Sequence, residues 1–208
     1  ANVSGMDLAD TCDIVTDYLS AFGLSSKDAS DFCNHLAVTS TATNTTIAQL
    51  AEAYKNCASV ASEFGVSQMF LNTQLGVLAN AGNKGSSAGT VLKNMYNNLL
   101  NPTNDEAGAL YEKWGINVNG ELNPALTKTN QITGEQILNE QALNDKLREQ
   151  YKSYTKISDK AKFLKTIFGS RGMAGGATLM GASDFDYTQI EMAQKTSDSF
   201  GSYLNSQY

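Results

Sequence analysis

The sequence predicts an all-α fold, a multi-helix bundle with one short hairpin-like excursion near residues 116–122. Three observations lead there. Apolar residues recur three and four apart through most of the chain, which places them on one face of a helix. Thr46 with Gln49, and Thr133 with Gln136, form the pattern of a helix N-terminus whose side chains take up free backbone N–H groups. Asn119-Gly120 stands among alternating apolar residues, Ile116, Val118 and Leu122, and that dipeptide favours a tight hairpin turn.

The first helix is expected over residues 7–22, with Leu8, Cys12, Val15, Leu19 and Phe22 as a narrow apolar stripe. Asp7 and Asp10 complement the positive end of its dipole, and Gly23 ends it. Ser25 or Ser26 opens a second helix to about residue 38, with Ala29, Phe32, Cys33 and Leu36 inward and His35 beside them as a packing residue. The Ser/Thr/Asn-rich residues 39–45 read as a loop. A third helix runs from Thr46 to about residue 64 with Leu50, Tyr54, Cys57 and Ala61 on one face, and Gly65 stops it. Ser67 starts the fourth, which leads to a glycine corner. Gly82 sits where a helix end calls for positive φ, and Ser86 or Ser87 is placed to cap the fifth helix, whose apolar side is Ala88, Val91, Leu92, Met95 and Leu99. Small residues flank the corner, so Gly82, Gly85 and Gly89 are expected to serve close helix packing or special backbone geometry.

Pro102 breaks the pattern. A short helix is expected over residues 106–114, then the hairpin, then a long polar helix from Thr133 carrying Ile137, Leu138, Leu143, Leu147 and Tyr151. Residues 158–168 form another helix, residues 169–172 a corner, and residues 173–181 a short helix of small residues. Residues 187–208 read as an amphipathic helix with Ile190, Ala193, Phe200 and Leu204 on one side, a stripe suited to self-association. The expected organisation is a compact bundle over residues 1–100 and a looser helical half over residues 101–208, packed on the first.

Composition narrows the chemistry. The 208 residues are 41% hydrophobic but only 17% charged, with net charge −6, so the surface is largely polar and uncharged and unlike a basic nucleic-acid-binding face. Cys12, Cys33 and Cys57 lie on apolar stripes and are expected to be reduced and buried. His35 is the sole histidine, which leaves no candidate metal cluster and no base for a nucleophilic pair. Lys84-Gly85-Ser86 has the wrong order for a phosphate loop, which needs Gly-Lys-Ser/Thr. Gly169-Ser170-Arg171-Gly172 reads as a structural turn rather than an anion site, and Asp184 and Asp186 as solvated turn-formers rather than a glycosidase pair. No Ser lies in Gly-x-Ser-x-Gly, and no run of about 18 apolar residues exists. No enzyme activity and no cofactor are expected.

Several blocks carry a resemblance. The leucine-rich helix ending in Ala81-Gly82, followed by Lys84-Gly85-Ser86 and Ala88-Gly89-Thr90, resembles the core domain of phage tail tape-measure proteins. Asp13-Ile14-Val15-Thr16-Asp17 and Ala21-Phe22-Gly23-Leu24 upstream, and Phe168 to Gly172 downstream, extend it in order and spacing over most of the chain. The resemblance implies a fragment of a much longer virion protein that sets tail length during assembly, sits in the tail tube or tip, and leaves at DNA ejection. It implies other copies of itself as partners, a trimer or hexamer around the tail axis. Tail tube, distal tail or baseplate hub proteins, assembly chaperones, and transient contact with DNA or host membrane complete the expected set. The expected location is the virion's tail lumen or tip, and the host cytoplasm during assembly. The alternative is a membrane-interacting segment that helps the genome through the host envelope. Against it, residues 187–208 carry Glu191 and Asp198 but only Lys195, whereas interfacial helices favour basic polar faces.

Overall fold

The computed structural model describes residues 8–130 and 133–196. Its first half holds helices α1 (Leu8–Ala21), α2 (Ala29–Ala42), α3 (Ile47–Glu63), α4 (Gln68–Asn80) and α5 (Gly85–Leu100). Then come α6 (Asp105–Lys113), hairpin strands β1 (Asn117–Val118) and β2 (Glu121–Leu122), and a second pair, β3 (Thr127–Thr129) and β4 (Gln136–Leu138). The chain continues through α7 (Glu140–Ser153), α8 (Ile157–Gly181) and α9 (Asp184–Lys195). The protein is an all-α bundle, with two minimal antiparallel hairpins among the described residues.

The helix starts follow their caps. Thr46 Oγ1 accepts from Gln49 N at 3.1 Å and Ser67 Oγ from Phe70 N at 3.2 Å, each relieving a backbone donor that has no partner inside the helix. Only half of the expected box forms at Thr46, because Gln49 Oε1 accepts from Thr45 Oγ1 instead. The α4 end is closed by a pair of bonds, Gly82 N to Ala79 O and Asn83 N to Leu78 O, both 2.9 Å, and the same pattern ends α1, α3 and α6.

Helix α4 lies at the centre and is buried nearly all round: Leu71, Leu75 and Leu78 are sealed, but so are Asn72, Thr73 and Gln74. Helix α5 packs between α3 and α8, and α9 lies across α2 and α4. The apolar core is continuous past residue 100, joining Leu92 and Met95 to Tyr111, Trp114, Phe163 and Ile167. Trp114 meets the Phe163 ring at 4.9 Å between centroids and donates Nε1–H to Tyr154 Oη at 2.9 Å. Burying an aromatic side chain of this size stabilises by roughly 1.5–3 kcal/mol.

Four expectations are corrected. No helix starts at Thr133. Gln136, Ile137 and Leu138 pair as β4 with β3, and the Gln136 side chain is spent across the pair on Thr127 and Thr129. Asn139 caps α7 instead, its Oδ1 accepting from Ala142 N at 3.2 Å. Helix α2 runs on through Ala42, because Thr39 and Thr43 turn their hydroxyls back onto His35 O and Thr39 O four residues earlier. Lys84, not a serine, precedes α5, and Ser86 Oγ accepts instead from Asn56 Nδ2 of α3 at 2.9 Å. The corner at residues 169–172 narrows to Gly169 (φ 66°, ψ 168°), after which α8 resumes at once.

Candidate functional site

A close helix approach lies where α5 crosses α3. A Cβ on Gly89 would stand 2.2 Å from Ala53 O, closer than any real side chain comes to backbone. Gly89 is therefore a contact position, and its missing side chain sets the distance between the two helices. Gly82, at φ +87°, has nothing within 4 Å of where its Cβ would be, so it is required by backbone shape alone. Gly85 stands at the first position of α5, with α3 atoms near 4 Å. Gly175 and Gly176 of α8 continue this close packing, against Val91 of α5 and the Phe168 ring respectively.

A second assembly of residues seats α9. Gly76 of α4 leaves a notch for Ile190, whose Cδ1 would lie 3.0 Å from a Cβ placed there. Ile190 is 2% exposed, so this part of the expected self-association stripe is instead occupied by the protein's own core. Ala193 is half-buried, and Phe200 and Leu204 lie outside the described residues. The opposite side of α9 carries Phe185, 66% exposed, and Met192, 59% exposed, seven residues apart and so on one face. Gln194 is fully buried. Its Nε2 donates to Thr73 Oγ1 at 2.9 Å and Met69 O at 3.1 Å, and its Oε1 accepts from Asn72 Nδ2 at 3.2 Å. Tyr54 Oη then donates to Asn72 Oδ1 at 2.7 Å, so a buried polar chain joins α3, α4 and α9. At the other end, buried Arg148 of α7 donates to Asp184 Oδ1 at 2.7 Å and to Ala182 O, and lies over the Tyr187 ring at 4.9 Å. Sequence reasoning missed both anchors. Gln194 and Arg148 look like surface residues in a polar sequence, and only their long-range partners reveal them.

A third cluster ties the hairpin to the bundle. Glu140, in the first turn of α7, accepts from Ser67 N at 2.9 Å and from Lys128 Nζ at 2.8 Å. Burial raises its carboxyl, but these hydrogen bonds outweigh burial and hold its pKa below the ordinary value. Beside it opens a groove of about 500 Å³, with Leu24, Phe32 and Ile137 as apolar walls. His35 lines this groove with its Nδ1 3.0 Å from Gln68 Oε1; Gln68 Nε2 donates to Phe32 O, so the ring nitrogen is the donor. The ring is thus committed to packing in this fold. Among the described residues, no three His, Cys, Asp or Glu side chains gather as a metal site. Of the cysteines, only Cys57 is buried, where burial pushes its thiol up to about 12; Cys33 is half-buried and Cys12 exposed, correcting the expectation of three buried thiols.

These three clusters join helices to one another. The buried hydrogen bonds end on other elements of the same fold, and the strongest geometric constraints sit at helix crossings. Comparison with known proteins agrees with such a structural part. The tape measure protein of Pneumococcus phage Dp-1 is 27% identical over 201 residues, which cover 95% of this chain. The chain spans 16% of that relative's length. No solved structure matches. The family model of the phage-related minor tail protein matches residues 1–169, and the chain belongs to that family.

Proposed function

We propose that this chain is a folded station on a tape-measure protein that sets tail length during assembly, occupies the tail tube or tip, and leaves when DNA is ejected. The family membership makes it a structural component of a phage tail. The observation that carries the finer reading is the 27% identity over nearly the whole chain to a small part of a tape measure protein. That supports reading the chain as a compact bundle within a much longer thread. Its work is association rather than catalysis. Its partners are other copies around the tail axis as a trimer or hexamer, tube, distal tail or baseplate hub proteins, and assembly chaperones. The outward side of α9, with Phe185 and Met192, is the surface on which copies meet, in place of the stripe through Ile190.

A density map of intact tails, reconstructed without imposed symmetry, tests this reading. It is expected to place the bundle on the tail axis in a copy number matching threefold or sixfold symmetry against the tube protein. A single copy off the axis, or a location outside the tail, overturns it. For the membrane alternative, no described helix is long and apolar enough to cross a bilayer. Helix α9 carries Asp184, Asp186 and Glu191 against Lys195, which opposes binding to an anionic lipid surface. Co-sedimentation of the chain with anionic liposomes would favour that alternative.

A further inference from the structure

We infer that one ordered water is built into the junction of α4, α5 and α7, held between Gln74 and Asn144. Both side chains are sealed from solvent, at 1% and 3% exposure. Gln74 Oε1 accepts the Tyr96 hydroxyl, which fixes the orientation of the amide and leaves Nε2 without a partner. The Asn144 amide lies beside the Tyr187 hydroxyl, but neither its Nδ2 nor its Oδ1 makes a hydrogen bond of ordinary geometry within the protein. An unpaired buried amide is costlier than the ordering of a water that satisfies it.

Both residues line one small cavity of about 10 Å³, the room a single water centre needs. Its other walls include Val66, Phe70, Met95, Leu143 and Leu147, which offer no side-chain hydrogen bond. Glu140 and the Tyr96 hydroxyl also border it; Glu140 already accepts from Ser67 N and Lys128 Nζ and Tyr96 donates to Gln74, but each keeps a lone pair for the guest. The guest must be a single heavy atom that accepts from Gln74 Nε2 and bonds one end of the Asn144 amide. Water meets that description. Ammonium does not, since it cannot accept, and a polyatomic anion is too large for the space. The water is a second polar link between α7 and the central helix, besides the bond from Ser67 N to Glu140.

A crystal structure of the 208-residue chain, at a resolution that shows ordered solvent, tests this directly. The expected result is one density peak within hydrogen-bonding distance of Gln74 Nε2 and the Asn144 amide. An empty cavity, or a Gln74 amide turned onto a protein acceptor, overturns the inference. In Asn144→Leu, a side chain of similar size, the peak is expected to vanish, and a water that persists there refutes the role of Asn144. Should that variant fail to fold, solution NMR on the parent chain still decides. Long-lived cross-relaxation between water and the Gln74 side-chain amide protons is expected, and its absence counts against the site.

Discussion

The backbone N–H of Ser67 donates to the Glu140 carboxylate at 2.9 Å across 73 residues of sequence. Ser67 is the residue that caps α4, so Glu140 places a negative charge at the positive end of the central helix. Its other oxygen holds Lys128 of β3. One carboxylate thus fastens the second hairpin and α7 to the start of α4.

Stability at acid pH follows from that arrangement. The carboxyl of Glu140 is held below its ordinary value of 4.5, so the unfolded chain binds its proton first. Its contribution is complete above the unfolded value and is lost as pH falls through the folded one. Glu140→Gln is expected to cost about 1–3 kcal/mol at pH 7, the worth of charge-assisted bonds, and progressively less below about pH 4. Chemical denaturation of both proteins from pH 3 to 7 checks it. A difference that stays constant across that range would show that the carboxylate's charge is not what matters.

The first five helices and the β1–β2 hairpin are legible from sequence because their signals are local. Ser67, Thr46 and Asn119-Gly120 act within three residues of themselves. The β3–β4 pair is hidden because Thr133 and Gln136 mimic a capping box, while Asn139, the true cap, looks like one more polar residue. Its available signal was the flanking Thr127 and Thr129 with Gly134 in the connection, a weak hairpin pattern. The anchors Gln194 and Arg148 were illegible for a different reason. Their partners lie 121 to 125 and 34 to 36 residues away, and periodicity carries no information about such pairs.

The glycines of the corner are expected to respond to substitution for different reasons. Gly89→Ala pushes a methyl group into the Ala53 carbonyl, a backbone atom that cannot turn aside. Despite the gain in helix propensity, it is expected to destabilise by about 1–3 kcal/mol. Gly82→Ala meets open space but must hold positive φ, at about 1–2 kcal/mol, and Gly82→Asn recovers most of that because Asn tolerates the conformation. Thermal melts of the three variants check the order. A Gly89→Ala protein that melts with the parent would mean the α3–α5 crossing is wider than described.

Gln194→Leu keeps the size of the side chain and removes its polar atoms. It strands the Nδ2 donor of Asn72 inside the core, at about 1–3 kcal/mol for a buried group left unpaired, while the Thr73 hydroxyl keeps its bond to Met69 O. The expected result is local. Hydrogen exchange should accelerate in α9 before it does in α3 or α5, since α9 buries only Tyr187, Ile190 and Gln194. Uniform acceleration through the bundle would show that α9 does not open separately.

The thiols give a graded readout of the same fold. Cys12 is expected to react promptly with a thiol reagent, Cys33 more slowly, and Cys57 only on unfolding, since it is sealed and its thiol is pushed up to about 12. Mass spectrometry of peptides after timed labelling separates the three. Prompt modification of Cys57 in the folded chain would contradict its place in the α3 core.

The outward face of α9 connects fold to assembly. Phe185 and Met192 are exposed and make no part of the core, so Phe185→Ser with Met192→Ser is expected to shift stability by no more than about 0.5 kcal/mol. If copies meet through this face, the same pair of changes in the parent phage lowers the yield of full-length tails while the isolated bundle melts as before. The two measurements together separate an interface from a structural role. Normal tails assembled from the doubly substituted protein would remove this face from the proposed contact, and a large loss of stability would show instead that the two side chains belong to the bundle's own packing.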